Sequence, residues 1–224
     1  MNRLLLLPAL GLLLNACGTT PDPVEAGASW TSLMEASSWR GYRKDTVPEQ
    51  WVFEGDTVRL TGGGGGDLIT RSQYESFELR FQYKLEGRGN SGVMYLVQET
   101  DGPTYATGPE YQVLDVTWFG DKGRDPKTAA GANYAMHGNP EDDARPAGEW
   151  NDCLIVVRGG HVEHWLNGRL QCSYELWTPE WEAAVEGCKW RNFPDYGRAT
   201  SGHVALQDHG DPVTFRGFEV RELP

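Results

Sequence analysis

Phe77-Glu78-Leu79-Arg80-Phe81-Gln82-Tyr83-Lys84-Leu85 alternates apolar and polar residues without a break. Successive side chains of a strand point to opposite faces, so this run is a β-strand with one dry and one wet face. Downstream, Val93-Met94-Tyr95-Leu96-Val97 is apolar at every position and reads as a strand covered on both sides. Residues 154–157 and 161–166 flank Gly159-Gly160, and Asn167-Gly168 follows. Both dipeptides tolerate the positive φ that two-residue hairpins require. Residues 203–207 and 215–220 add two late strands, and only 179–189 has helical character, with Pro179 at its start. Many short strands joined by glycine turns predict an all-β fold, a sandwich or jelly roll of two antiparallel sheets. Neither an internal repeat nor a linker interrupts it, so one domain is expected over 30–224.

The composition agrees with a folded, exported protein. Of 224 residues, 39% are hydrophobic and 23% charged, and the formal charge is −12. So acidic a chain gains no counterion release from phosphates, which argues against nucleic acid as a partner. Met1-Asn2-Arg3 carries one positive charge ahead of an apolar run, 4–14, broken by Pro8 and Gly11. That run falls short of the roughly 20 residues a membrane helix needs and fits a signal-peptide core. Leu14-Asn15-Ala16-Cys17 resembles a bacterial lipobox, although Asn15 is not the preferred residue there. The resemblance implies a signal peptide over 1–16, lipidation of Cys17 and a small, polar tether over 17–29. The membrane would then be met through the lipid anchor alone. Gly18, where an inner-membrane retention signal carries Asp, points to the outer membrane of a cell envelope. The alternative is an ordinary signal peptide with an incidental cysteine. Export to an oxidising compartment permits one disulfide among Cys153, Cys172 and Cys188, and Cys172–Cys188 is the expected pair.

Four segments carry candidate chemistry. Gly62 to Gly66 lacks the Lys-Ser/Thr that a phosphate loop needs, so Asp67 after it either caps the loop or faces a pocket. In Glu110-Tyr111-Gln112-Val113-Leu114-Asp115, Glu110 and Gln112 share a strand face, and Asp115 joins them only through a bulge. The spacing is reminiscent of the Glu-x-Asp-x-x-Glu strand of retaining sandwich glycosidases. Gln112 replaces the middle acid, which speaks against an ordinary two-carboxylate mechanism. Gln207-Asp208-His209-Gly210-Asp211 offers a histidine between carboxylates as a base, or calcium ligation by Asp208 and Asp211. His161 and His164 point to opposite faces of one strand, which argues against a shared metal. His164 shares its face with Val162 and Leu166, and Trp165 is either core or a sugar platform. Loops 98–109 and 117–150 are long enough to wall a pocket on one sheet.

Together these segments, with Trp51-Val52-Phe53-Glu54-Gly55, Asn90-Ser91-Gly92-Val93, Gly148-Glu149-Trp150-Asn151, His164 to Gly168 and Phe215-Arg216, resemble the 3-keto-disaccharide hydrolase domain family over roughly 30–223. The resemblance implies a concanavalin-like jelly roll acting on glycosides whose sugar bears a C3 ketone. Such a ketone acidifies the C2 proton, and the resulting enolate expels the glycosidic oxygen from C1. The chemistry requires a base, an enolate-stabilising group and an acid. On this reading His209 or Glu110 is the base. Asn90, Gln112 and Gln207 bind hydroxyls or the enolate oxygen, with Trp165 and Asp115 as further binding residues. His164 and Asp208 are weaker acid or orienting candidates. A divalent metal would stabilise the enolate, though the sequence offers no ligand set. The chain has no dinucleotide fingerprint, so a separate sugar 3-oxidoreductase must make the ketone. The competing reading is a non-catalytic carbohydrate-binding module, which would use a flat aromatic platform rather than a pocket with titratable groups. An envelope adhesion role is a third.

Overall fold

The structure is a computed structural model that describes residues 29–120 and 123–224. The leader, Cys17 and nearly all of the tether lie outside the described residues. The strands are β1 (Thr31–Ser32), β2 (Trp39–Gly41), β3 (Trp51–Glu54), β4 (Thr57–Leu60), β5 (Leu68–Thr70), β6 (Phe77–Leu85), β7 (Asn90–Val97), β8 (Glu110–Leu114), β9 (Asn151–Arg158), β10 (His161–Leu166), β11 (Arg169–Glu175), β12 (His203–Leu206) and β13 (Val213–Glu222). They form two antiparallel sheets. One has eight strands in the order β11-β10-β9-β6-β13-β4-β3 with β1 added on β13, and the other has five in the order β2-β5-β12-β7-β8. This is the expected all-β jelly roll.

The alternation in β6 is what joins the sheets. Phe77, Leu79, Phe81, Tyr83 and Leu85 are all buried against Val93, Tyr95, Tyr111 and Val113 of the facing sheet. Phe81 stacks on Phe218 of β13 at 4.7 Å and meets Tyr111 of β8 edge-on at 5.6 Å. Each large side chain removed from water contributes roughly 1.5–3 kcal/mol, and the two inner faces supply many. The hairpins close as their dipeptides require: Gly159 and Gly160 have φ of 55° and 102°, Asn167 and Gly168 of 50° and 79°. β7 is buried along its whole length because it lies between β12 and β8 with both faces covered.

β8 is an edge strand, yet its open side is sealed. Gln112 N donates to Ala132 O at 3.0 Å, Gly131 N to Gln112 O at 2.8 Å, and Tyr134 N to Glu110 O at 3.1 Å. The long loop between β8 and β9 therefore supplies the missing rungs.

The helical segment is shorter than expected. The helix α1 (Pro179–Glu186) is capped by Thr178, whose hydroxyl accepts from Trp181 N at 3.2 Å. It stops at Gly187 and is followed by a 3-10 turn, Lys189–Asn192.

Two expectations are corrected here. Cys153, Cys172 and Cys188 are all free thiols, so Cys172–Cys188 is not a disulfide. Cys172 is a buried residue of β11, and the Cys188 thiol donates to Val185 O at the end of α1. His164 is not an acid at the site, since it is fully buried between the sheets with Val162 and Leu166. A carbonyl can only accept, so Nδ1–H donates to Gly131 O at 3.0 Å and Nε2 accepts from the Tyr95 hydroxyl at 2.8 Å. The Tyr95 oxygen is in turn bonded to the Tyr174 hydroxyl.

Burial pulls the His164 imidazole down to about 3, so it is neutral in the fold. Unfolded, it would titrate near 6.5. Below that pH the unfolded chain takes up a proton that the folded one refuses, so stability falls as pH drops from about 6.5 towards 3. His164→Gln is expected to be less stable at pH 7 but to lose about 3 kcal/mol less than the wild type between pH 7 and 4. Urea unfolding at the two pH values measures this; equal losses would refute it.

Candidate active site

β7, β8 and the segment after β12 converge on the outer face of the five-stranded sheet. In the register, Gly92 sits opposite Gln112, and Gln207 N donates to Gly92 O at 2.9 Å. One row across three strands thus carries Gln207, Gly92 and Gln112. The next row carries Met94 opposite Glu110. The Glu110 side chain leans across the gap above Gly92: a Cβ built there would lie 2.4 Å from Glu110 Oε1. Only glycine leaves room for the carboxyl.

Above this floor opens a cavity of about 200 Å³, lined by Asn90, Tyr105, Glu110, Gln112, Tyr134, Lys189, Trp190, Gln207 and His209. Five residues singled out in the sequence, Asn90, Glu110, Gln112, Gln207 and His209, therefore meet in one place. Tyr105 comes from the 3-10 turn Thr104–Ala106 in loop 98–109, and Tyr134 comes from loop 117–150. Both loops wall the pocket as their length suggested. Sequence reasoning missed Tyr105, Tyr134, Lys189 and Trp190. Two aromatic residues inside long polar loops were the available signal for the first two.

Glu110 is 4% exposed, and it is the one carboxylic acid among the described residues lining the cavity. Desolvation pushes its carboxyl up to about 8, with Lys189 opposing the shift and Asp67 adding to it. Gln112 lies between Glu110 and Asn90. With its amide nitrogen towards Glu110, it donates to Oε1 at 3.1 Å and to Ser91 O at 3.3 Å. The Asn90 amide is 3.1 Å from His209 Nε2, and His209 Nδ1 is 3.8 Å from the Asp211 carboxylate. Gln207 Oε1 is buried without a hydrogen-bond partner among the described residues, an acceptor open to a ligand hydroxyl.

The far wall is aromatic. Trp190 stacks on Tyr196 at 4.3 Å, and its Nε1–H donates to Tyr134 O at 2.8 Å. The Lys189 ammonium stands at the rim, 4.1 Å from the Tyr134 ring centre and 4.3 Å from that of Trp190. Desolvation lowers its pKa while Glu110 raises it.

Four sequence candidates lie elsewhere. Asp208 points away from its neighbours Gln207 and His209. Its Oδ2 accepts from Gly64 N at 3.0 Å and Gly66 N at 2.8 Å, and its Oδ1 accepts from Gly210 N at 3.1 Å. Residues 207–209 lie past the end of β12, and the N–H groups of the glycine loop hold the Asp208 carboxylate there. Asp115 does not join Glu110 and Gln112. Just past the end of β8, its carboxylate accepts from Arg88 N at 2.8 Å and from Thr117 N at 2.7 Å. Trp165 lies on the opposite side of β10 from His164 and donates to Glu163 at 2.7 Å, on the other sheet's outer face. His164 is core. Of the two carboxylates suggested for calcium, Asp208 is held by three N–H groups and Asp211 accepts from Asn90 N at 3.1 Å. Among the described residues, no three His, Cys, Asp or Glu side chains gather as a metal site.

A jelly roll with a buried acid in a polar, aromatic-walled pocket places the chain among carbohydrate-handling proteins, a class of binders and glycoside-cleaving enzymes alike. Within that class, the chain belongs to the family described as the 3-keto-alpha-glucoside-1,2-lyase-like domain, which matches residues 29–221. It is 35% identical over 217 residues to a 3-keto-disaccharide hydrolase of Bacteroides thetaiotaomicron, covering 84% of this chain and 75% of that one. A crystal structure from Parabacteroides distasonis, named as a glycosyl hydrolase, superposes with a TM-score of 0.78 at 32% identity, over 87% of this chain and 94% of the other. A carbohydrate-binding module of Bacillus subtilis shares the fold at 12% identity and a TM-score of 0.50, over 81% and 93% of the two chains.

Proposed function

We propose that this protein cleaves glycosides whose sugar carries a ketone at C3, with Glu110 as the base at C2. One observation carries the reading: a single buried carboxyl, raised to about 8, lines the pocket. Ordinary glycosidases need two carboxyl groups about 5–9.5 Å apart, and the described lining residues hold one. A lone base of raised pKa suits abstraction of an acidified C–H, where proton affinity near the working pH is an advantage.

In the proposed reaction Glu110 takes the C2 proton, and the electron pair passes to the C3 oxygen as an enolate. Collapse of the enolate breaks the C1–O bond, and the leaving oxygen takes a proton from His209, which Asn90 and Asp211 orient. Water then adds to the enone, hydroxyl at C1 and hydrogen at C2, so the net change is hydrolysis. The Lys189 ammonium faces the negative charge that develops. Gln207 Oε1, Gln112 and Asn90 hold hydroxyls, and Trp190 and Tyr105 cover the ring. A cavity of about 200 Å³ suits one sugar ring, leaving the aglycone at the mouth. An oxidoreductase acting earlier on the sugar must supply the ketone. The lipoprotein-like leader supports an envelope address for this chemistry.

A chromogenic 3-keto-glucoside and its unoxidised parent test the reading. Release is expected from the keto compound, with a primary isotope effect when C2 carries deuterium. Release from the parent alone would sink it, and calorimetric binding of both without turnover would leave a carbohydrate-binding role.

A further inference from the structure

The glycine-rich loop and the segment after β12 are held together by two acids that cross over each other. Asp208 reaches into the glycine loop, accepting from Gly64 N and Gly66 N. Asp67, just past that loop, reaches back: its Oδ1 accepts from Asp208 N at 2.8 Å. Gly63 and Gly210 come so close that a Cβ on Gly63 would lie 2.8 Å from Gly210 Cα, so the two backbones are in contact. The other oxygen of Asp67 accepts from the Thr104 hydroxyl. Thr104 is fully buried and opens the 3-10 turn that presents Tyr105 to the pocket. One carboxylate therefore grips both the Gln207–His209 segment and the Tyr105 turn, without itself lining the cavity.

We propose that Asp67 is a positioning residue for the pocket: it fixes Tyr105 on one wall and Gln207 with His209 on another. Its grip is arranged as a reciprocal clasp, so each segment satisfies the other's backbone donors. The charged groups around this pair are few. Asp208 lies beside Asp67, and the Lys44 ammonium donates to Gly65 O at 2.5 Å on the same loop. Lys189 faces Glu110 from the rim. Removing the Asp67 charge leaves Lys189 less opposed, so Glu110 must titrate lower.

The assignment rests on the proposed reaction only where turnover is read, so the first measurement uses no substrate. The Glu110 carboxyl is followed by carbon NMR against pH in the wild type and Asp67→Asn. Asp67→Asn is expected to move the Glu110 midpoint down. Thr104→Val keeps the Asp67 carboxyl but removes a hydrogen bond that opposes its desolvation, so this variant is read in turnover rather than in the Glu110 midpoint. In turnover assays, Thr104→Val should raise KM roughly five-fold with kcat within two-fold, because only the Tyr105 wall loosens. An unmoved Glu110 midpoint in a folded Asp67→Asn protein would overturn the coupling of the two charges. An unchanged KM in Thr104→Val would overturn the positioning argument, even if Asp67→Asn fails to fold. Failure of the wild type to turn over the keto-glycoside would leave the NMR result standing by itself.

Discussion

Glu110→Gln is expected to lower kcat/KM on a 3-keto-glycoside by roughly 10²–10⁴-fold, the range that positioned acid–base groups supply. The amide keeps the shape of the side chain but cannot accept a proton. In the wild type only the ionised carboxylate is a base, and desolvation raises its pKa to about 8. Because His209 must also hold a proton for the leaving oxygen, kcat/KM should be bell-shaped in pH, and the limb that Glu110 sets should vanish in Glu110→Gln. The same variant should be more stable than its parent at high pH. Below about 4.3 the carboxyl is protonated in both states and makes no difference. From there to 8 the unfolded chain releases a proton that the fold retains, so wild-type stability declines by up to about 5 kcal/mol. Glu110→Gln escapes that decline, and its Tm should rise by roughly 5 °C or more at pH 8.5 with no gain at pH 4. Loss of activity without a pH-dependent gain in Tm would mean that the Glu110 carboxyl is not held above its ordinary range by desolvation.

The second large effect is expected from Gly92→Ala, a change of one methyl group on a residue with no side chain. Gly92 is a regular strand residue, absent from the positive-φ positions, so alanine fits the backbone. The methyl carbon would meet Glu110 Oε1 at 2.4 Å and both Cδ and Cγ at 3.0 Å, which forces the carboxyl aside. A displacement near 1 Å of a reacting group costs on the order of 10²-fold. Turnover should fall by that factor while the folded state persists, as circular dichroism and urea unfolding would report. Near-wild-type kinetics would show that the carboxyl is free to work from another position.

The architecture was readable because it follows local rules. The period of two over 77–85, the double apolar face over 93–97 and the two hairpin dipeptides all depend on neighbours in the chain, and all appear where expected. Parity on β8 likewise placed Glu110 with Gln112. Where the reading failed, a long-range partner decided. Asp208 looked like an orienting acid because it adjoins His209, yet its Oδ2 is held by two glycines over 140 positions away in the chain. His164 was drawn in by chemistry, although its face, shared with Val162 and Leu166, already marked it as core. Lys189 and Trp190 escaped notice because α1 ends early and a 3-10 turn swings them to the rim, a change of direction that leaves no periodic trace.

The rungs that loop 131–134 adds to β8 bear on how such an enzyme can diversify. Among the described residues the strand that carries Glu110 has no second strand outside it, so a stretch of loop serves as its splint. Insertions or deletions that reshape the mouth for a new aglycone can accumulate on either side of that stretch. Within it, a shift of one residue would unseat Glu110 together with the pocket wall and bare a strand edge to other molecules. Change in substrate range is therefore channelled to the flanks of a short segment that must keep its length.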